Sequence, residues 1–207
     1  MKKLYKCEID LVGGYVDRRS AFFWGVIVLL LSSATFYSVS VRQEMGKLHT
    51  TDAKIESGAI VTLVKVVDGD AVSVAQEGQG RANVRLLGIK SFDAKIEKDI
   101  TTPYAQAAMD ALNRLLANRP IRIMLHTIPK DRKGRFIATL YVDEQDIALR
   151  LVKEGLVLVY TVYPFPAMSL YLEQQELARA GRKGLWANTD VSGRALALMG
   201  AWRELRE

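Results

Sequence analysis

The sequence has one cysteine, Cys7, and two histidines, His49 and His126, in 207 residues. A lone thiol makes no internal disulfide, and so few Cys and His argue against a zinc site. Proline is scarce, at 5, and glycine stands at 15, which excludes a collagen-like or low-complexity chain. No internal repeat is present either. What remains is 49% apolar and 25% charged residues, the balance of a chain able to bury one core of ordinary size. The net charge of +6 permits contact with phosphates or anionic lipid without establishing either.

Charge is missing altogether from residues 20–41, between Arg19 and Arg42. As a helix rising about 1.5 Å per residue, this stretch spans roughly 33 Å, enough to cross a bilayer. Its second half carries Ser32, Ser33, Thr35, Ser38 and Ser40, hydroxyls that a helix tolerates by bonding them back to its own carbonyls. A cleaved signal peptide is the alternative, because residues 21–31 have the length of its apolar region and Ser38-Val39-Ser40 offers small residues for cleavage. The long stretch ahead of the apolar run and the aromatics at both ends (Phe22, Phe23, Trp24; Phe36, Tyr37) favour a retained single-pass anchor. Lys2, Lys3, Lys6, Arg18 and Arg19 precede it, and Arg42, Lys47 and Lys54 follow. This bias predicts the N-terminal residues 1–19 inside and the rest outside the cytoplasm, at a bacterial inner membrane or an organellar equivalent. The first three lysines read as topology signals or lipid-headgroup contacts.

After a polar linker over residues 42–57, the pattern changes to short β-branched runs. Residues 59–67, 71–75 and 82–89, separated by turn residues, predict a three-stranded meander. Thr102 as a cap, Pro103 in the first turn and the face Ala107, Ala108, Ala111, Leu112, Leu115, Leu116 predict a helix ending at Asn118 and Pro120. Alternation in Ile121, Ile123, Leu125 and in Phe136, Ala138, Leu140, Val142 predicts two more strands around a turn holding Lys133-Gly134. Helices over about 146–154 and 169–180 stop at Gly155 and Gly181, with Leu185 and Trp186 as an apolar clasp. The expected fold is α+β: a five-stranded OB-type barrel with three helices over residues 58–189, preceded by one transmembrane helix and followed by a short amphipathic tail over 190–207.

Six words stand in a fixed order: Val66-Val67-Asp68-Gly69-Asp70, Arg85-Leu86-Leu87-Gly88-Ile89, Pro103-Tyr104, Asp131-Arg132-Lys133-Gly134-Arg135, Leu151-Val152-Lys153-Glu154-Gly155-Leu156 and Gly184-Leu185-Trp186. In these words the domain resembles staphylococcal-nuclease-like (thermonuclease) domains. The resemblance implies phosphodiester cleavage with Ca²⁺ held by aspartates, a glutamate that activates water and two arginines on the phosphate. Such chemistry calls for hard oxygen ligands, a carboxylate in reach of water and guanidiniums for a charge-rich phosphate. Carried over by motif, Asp70 matches the first metal aspartate, Arg85 the first arginine and Arg135 the second. Lys90, however, stands where the second metal aspartate belongs. The general-base glutamate falls at Asp93, one methylene shorter. Base-contacting tyrosines fall at Lys133 and Thr161, while Tyr163 keeps an aromatic.

An ammonium in place of a carboxylate beside a divalent ion is decisive. A unit pair at 4 Å is worth about 4 kcal/mol at an effective dielectric near 20, so the swing is on the order of ten kcal/mol against calcium. No cofactor is therefore expected, and Ca²⁺ only if the site is active. Loss of stacking platforms also weakens single-strand recognition, at about 1–3 kcal/mol per base.

Asp68-Gly69-Asp70 is first of all a turn, and Arg85 and Arg135 can serve structurally by pairing with Asp70 or Asp93. Alternatively, Lys90 joins the arginines in a metal-free anion or nucleic-acid site, with Lys133 and Tyr163 at its edge. Residues 42–207 carry 24 basic and 20 acidic residues, a net +4 that is mild for a DNA binder. Tyr160, Tyr163, Pro164, Phe165 and Pro166 form an aromatic and proline cluster, core packing for the most part and a docking patch where exposed. The favoured expectation is a catalytically degenerate nuclease-like domain acting through other proteins of a membrane complex. The alternative is an extracytoplasmic phosphodiesterase with altered metal dependence.

Overall fold

The computed structural model describes Trp24, residues 26–31, 55–94 and 99–205, and the chain divides into two compact units, residues 1–50 and 51–207. In the first unit, Trp24 and residues 26–31 are helical. The rest of the stretch expected to cross a membrane lies outside the described residues. Among the described residues, no helix is long and apolar enough to cross one.

The second unit begins with the meander: β1 (Ile60–Asp68), β2 (Ala71–Gln76) and β3 (Gly80–Leu86), each antiparallel to the last. A two-residue ribbon strand, β4 (Ile89–Lys90), and helix α1 (Thr102–Leu116) follow. Strands β5 (Ile121–Lys130) and β6 (Phe136–Val142) form a hairpin, and β5 pairs with β1. A parallel pairing of Val84, Arg85 and Leu86 with Phe136, Ile137 and Ala138 joins β3 to β6 and closes a five-stranded barrel. Closure removes the free edges that an open sheet would leave.

In β6 the predicted alternation holds: Phe136, Ala138, Leu140 and Val142 are buried and the residues between them are not. The chain then reverses through Asp143 and Glu144, both at positive φ as a two-residue hairpin requires, into β7 (Gln145–Asp146). Asp146 caps helix α2 (Ile147–Lys153) by accepting the Leu149 N–H at 3.1 Å. Strand β8 (Leu158–Val159) pairs with β4, and helix α3 (Met168–Ala180) leads to a 3₁₀ turn (Gly184–Ala187) and helix α4 (Thr189–Glu204).

Two expectations need correction. Thr101, not Thr102, is the residue before α1, and its hydroxyl bonds Asp99 rather than the helix. In the second unit, the expected three helices are four α-helices and a 3₁₀ turn among the described residues, because residues 189–204 form α4. That helix buries Val191, Ala195 and Met199 in a second apolar cluster with Phe92, Ala105, Leu158, Ala178, Leu185 and Trp186, separate from the barrel core.

Gly88 turns the chain from β3 into β4 at φ +75°, and a Cβ there would lie 2.4 Å from the Phe165 ring. Backbone strain and overpacking therefore act together at this position. Gly88→Ala is expected to lower unfolding free energy by about 2–4 kcal/mol in urea titrations, where an ordinary surface substitution would cost little.

Candidate functional site

The β1–β2 turn sets Asp70 at the foot of β2, buried to 1% exposure. Its tightness is enforced by Gly69, where a Cβ would fall 2.7 Å from Ser91 Cβ and 2.8 Å from Ala108 Cβ. The β2–β3 register pairs Ala71 with Arg85, which brings the guanidinium alongside Asp70. Strand β4 delivers Lys90 from the other side, held there by pairing of Ile89 with Val159 and Lys90 with Leu158.

Three donors converge on one carboxylate oxygen. Asp70 Oδ2 accepts from Lys90 Nζ at 2.9 Å, Arg85 Nη1 at 3.2 Å and the Ser91 N–H at 3.3 Å. Asp70 Oδ1 is buried and has no hydrogen-bond partner among the described residues. Arg85 spends a second donor, Nη2, on the Ile89 carbonyl at 3.2 Å, and its guanidinium lies 5.7 Å from the Tyr160 ring centroid, within cation–π range. Asp68 Oδ1 accepts from the Gly69 N–H at 2.8 Å and the Ser91 hydroxyl at 3.4 Å. Both cations, Arg85 and Lys90, thus pair with Asp70, and Asp68, tied to the same Ser91, brings the formal charges of the four side chains to zero.

Arg135 corrects the expectation that it reaches Asp70 or Asp93. It pairs within its own turn, with Nε and Nη2 on Asp131 Oδ2 at 2.8 and 2.7 Å. The other oxygen of Asp131 accepts the N–H groups of Lys133 and Arg135. Burial pushes the Asp131 carboxyl up, but the Arg135 side chain and these backbone donors outweigh it and hold it below the ordinary range. Lys133 is exposed in that turn, Asp93 is exposed just past the buried Phe92, and Tyr163 is 63% exposed. In the aromatic and proline cluster, Phe165 belongs to the core while Pro164 and Pro166 are exposed.

Three participants fall outside the expected site residues: Ser91, Asp131, which the motif words include, and Tyr160, which the aromatic cluster includes. Asp131 has a local signal, because an aspartate that opens a turn accepts backbone N–H groups two and four residues on. Ser91 and Tyr160 have none, since only the β4–β8 pairing brings them to the cluster.

Calcium does not fit this arrangement. It takes six to eight oxygens at about 2.3–2.6 Å, and here an ammonium already holds the one buried carboxylate. Among the described residues, no three or more His, Cys, Asp or Glu side chains gather as a metal set. The arginines offer little to an anion either, as each is engaged by its own aspartate.

Two outcomes follow from these pairings. Lys90→Met keeps the aliphatic stem but leaves Asp70 with Arg85 and one N–H, and should cost about 1–2 kcal/mol in denaturant titration, the lower range because the ammonium is part-exposed. Because the folded Asp131 carboxyl titrates below its unfolded value, its contribution is full above about pH 4 and fades as pH falls through the folded value. Thermal melts between pH 5 and pH 2 should therefore show a shallower acid loss for Asp131→Asn than for the parent chain.

The sequence model of the family described as staphylococcal nuclease homologue matches residues 83–188, which include Arg85, Lys90, Asp131 and Arg135. The chain is also similar to a thermonuclease of Staphylococcus hyicus, 24% identical over 163 residues that span 78% of this chain and 96% of the relative. A thermonuclease of Staphylococcus intermedius is 28% identical over 141 residues, 68% of this chain and 82% of the relative. An uncharacterised endonuclease of Haemophilus influenzae is 30% identical over 128 residues, 62% and 66% respectively. Closed barrel, ordered motifs and matched residues agree: the chain belongs to the staphylococcal nuclease family.

Proposed function

We propose that this chain is a membrane-anchored member of the family that has lost calcium-dependent phosphodiester cleavage and acts by binding other proteins of a membrane assembly. One observation carries the loss of catalysis: the Lys90 ammonium lies 2.9 Å from the buried Asp70 carboxylate, where a divalent ion would have to be held. A neutral, internally paired cluster gives neither a metal to polarise phosphate nor a free guanidinium to meet it. The uncharged residues 20–41 support the anchor, and the exposed Tyr163, Pro164 and Pro166 offer a surface for a partner.

A second reading takes its support from the relatives that carry the names thermonuclease and endonuclease. In it, Asp70, Asp93, Arg85 and Arg135 cleave phosphodiesters with another metal or none. One set of measurements separates the two. The purified full chain in detergent is expected to show no heat of binding with Ca²⁺ and no cleavage of single-stranded DNA or RNA in Ca²⁺, Mg²⁺ or Mn²⁺. Lys90→Asp combined with Asp93→Glu is expected to gain calcium binding. Cleavage by the parent chain that disappears in Arg85→Ala would overturn the proposal in favour of the enzyme.

A further inference from the structure

Helix α4 begins at Thr189, just past the last residue matched by the family, and its side chains reach back to the site. Its start is fixed by Asn188, whose Oδ1 accepts the N–H groups of Asp190 and Val191 at 3.0 and 3.1 Å. Val191, Ala195 and Met199, spaced by one turn each, bury its inner face. Arg194 donates to Asp99 at 2.6 Å, and Asp99 in turn accepts the Thr101 N–H and hydroxyl at the head of α1. Met199 Sδ receives the Nε2–H of the fully buried Gln175 at 3.7 Å, whose Oε1 accepts the Val159 N–H at 2.8 Å. Since Val159 pairs with Ile89, α4 supports the ribbon that carries Lys90.

The last turn of α4 adds an aromatic link. Trp202 meets Tyr160 edge to face at 5.0 Å and 80°, and the face of Tyr160 lies 5.7 Å from the Arg85 guanidinium. Tyr160 is itself tied to the ribbon, its N–H donating to the Gly88 carbonyl at 2.9 Å. The Arg85 side chain is left only 16% exposed, although an arginine that receives a phosphate from solution must present its fork outward.

We infer that α4 is an intramolecular latch: through Trp202 and Tyr160 it holds Arg85 inside the Asp70–Lys90 cluster and shuts the site to phosphate-class anions. Displacing the last turn of α4 frees Tyr160 and uncovers the guanidinium, so that an anion can compete with Asp70 and the Ile89 carbonyl for it. The inference rests on the paired cluster proposed above, but its test uses neither calcium nor nucleic acid, so the two fail separately.

The readout is the rate at which phenylglyoxal modifies Arg85 in the full chain in detergent, mapped by peptide mass spectrometry, with the half-exposed Arg150 as internal reference. In the parent chain Arg85 should react slowly, and inorganic phosphate should leave that rate unchanged. In Trp202→Ala the rate at Arg85 should rise by about tenfold, the equivalent of about 1.4 kcal/mol, with Arg150 unchanged, and phosphate should now protect it. Trp202→Phe, which keeps an aromatic edge, should restore slow reaction. Tyr160→Leu breaks the same link from the other end, and its effect should not add to that of Trp202→Ala. An Arg85 rate that stays put in both single variants overturns the latch. So does an equal rise at every arginine, because that is general unfolding. Phosphate protection already present in the parent chain overturns it as well.

Discussion

One carboxylate organises this domain. Asp70 is buried at the foot of β2, and a buried charge is costly unless it is paired and hydrogen-bonded. The surrounding elements meet that demand from three directions: β3 brings Arg85 by strand register, β4 brings Lys90, and the backbone supplies the Ser91 N–H. Barrel closure matters here because the parallel β3–β6 pairing fixes the strand that carries Arg85. Gly69 and Gly88 allow the two close approaches on which these directions depend, one against Ser91 and Ala108, the other against Phe165.

The charge balance decides between ligands. A site of two aspartates and one arginine carries excess negative charge and invites a cation. With Lys90 added, the sum is zero, and the ammonium lies on the oxygen a metal would need. Adding a cation does not turn the site into a phosphate cradle, because both arginines are already spent: Arg85 on Asp70 and the Ile89 carbonyl, Arg135 on Asp131. An incoming phosphate would have to outbid a carboxylate in fixed geometry at each, and charge-assisted pairs of that kind are among the stronger polar contacts in a protein.

Much of this was legible in the residues. Phe136, Ala138, Leu140 and Val142 announce a half-buried strand, and Arg85 and Lys90 could be singled out because the words that hold them stand in a fixed order, whereas the β4–β8 ribbon had no local signal. On α1 the apolar face is displaced only by the exchange of Ala107 for Ala105. Other features were not legible, for physical reasons. The partner of Arg135 is set by a turn whose aspartate competes locally for it, at 2.8 Å, before any distant carboxylate can. Helix α4 contains Gly193 and Gly200, which lower its intrinsic helicity, so its formation depends on packing that the local sequence does not display. The apolar positions Val191, Ala195, Met199 and Trp202 do recur at helical spacing, a signal the two glycines obscure.

The second apolar cluster explains why α4 and the site belong to one piece of structure. Phe92 is adjacent to Ser91 in sequence and packs with Ala195 and Met199 of α4, while Leu158 of the same cluster is the ribbon partner of Lys90. By this register Lys90 and Leu158 share one face of the β4–β8 ribbon, the face that also serves the α4 cluster, while Ile89 and Val159 on the other face belong to the barrel core. Loosening the ribbon would cost apolar burial on both faces and ion pairing on one, at about 25 cal/mol per Å² for the apolar part. Both losses fall on the same two strands, so packing and ion pairing hold the same short ribbon in place. That coupling, more than the identity of any one residue, keeps an ammonium in the place of a metal without exposing the carboxylate beneath it.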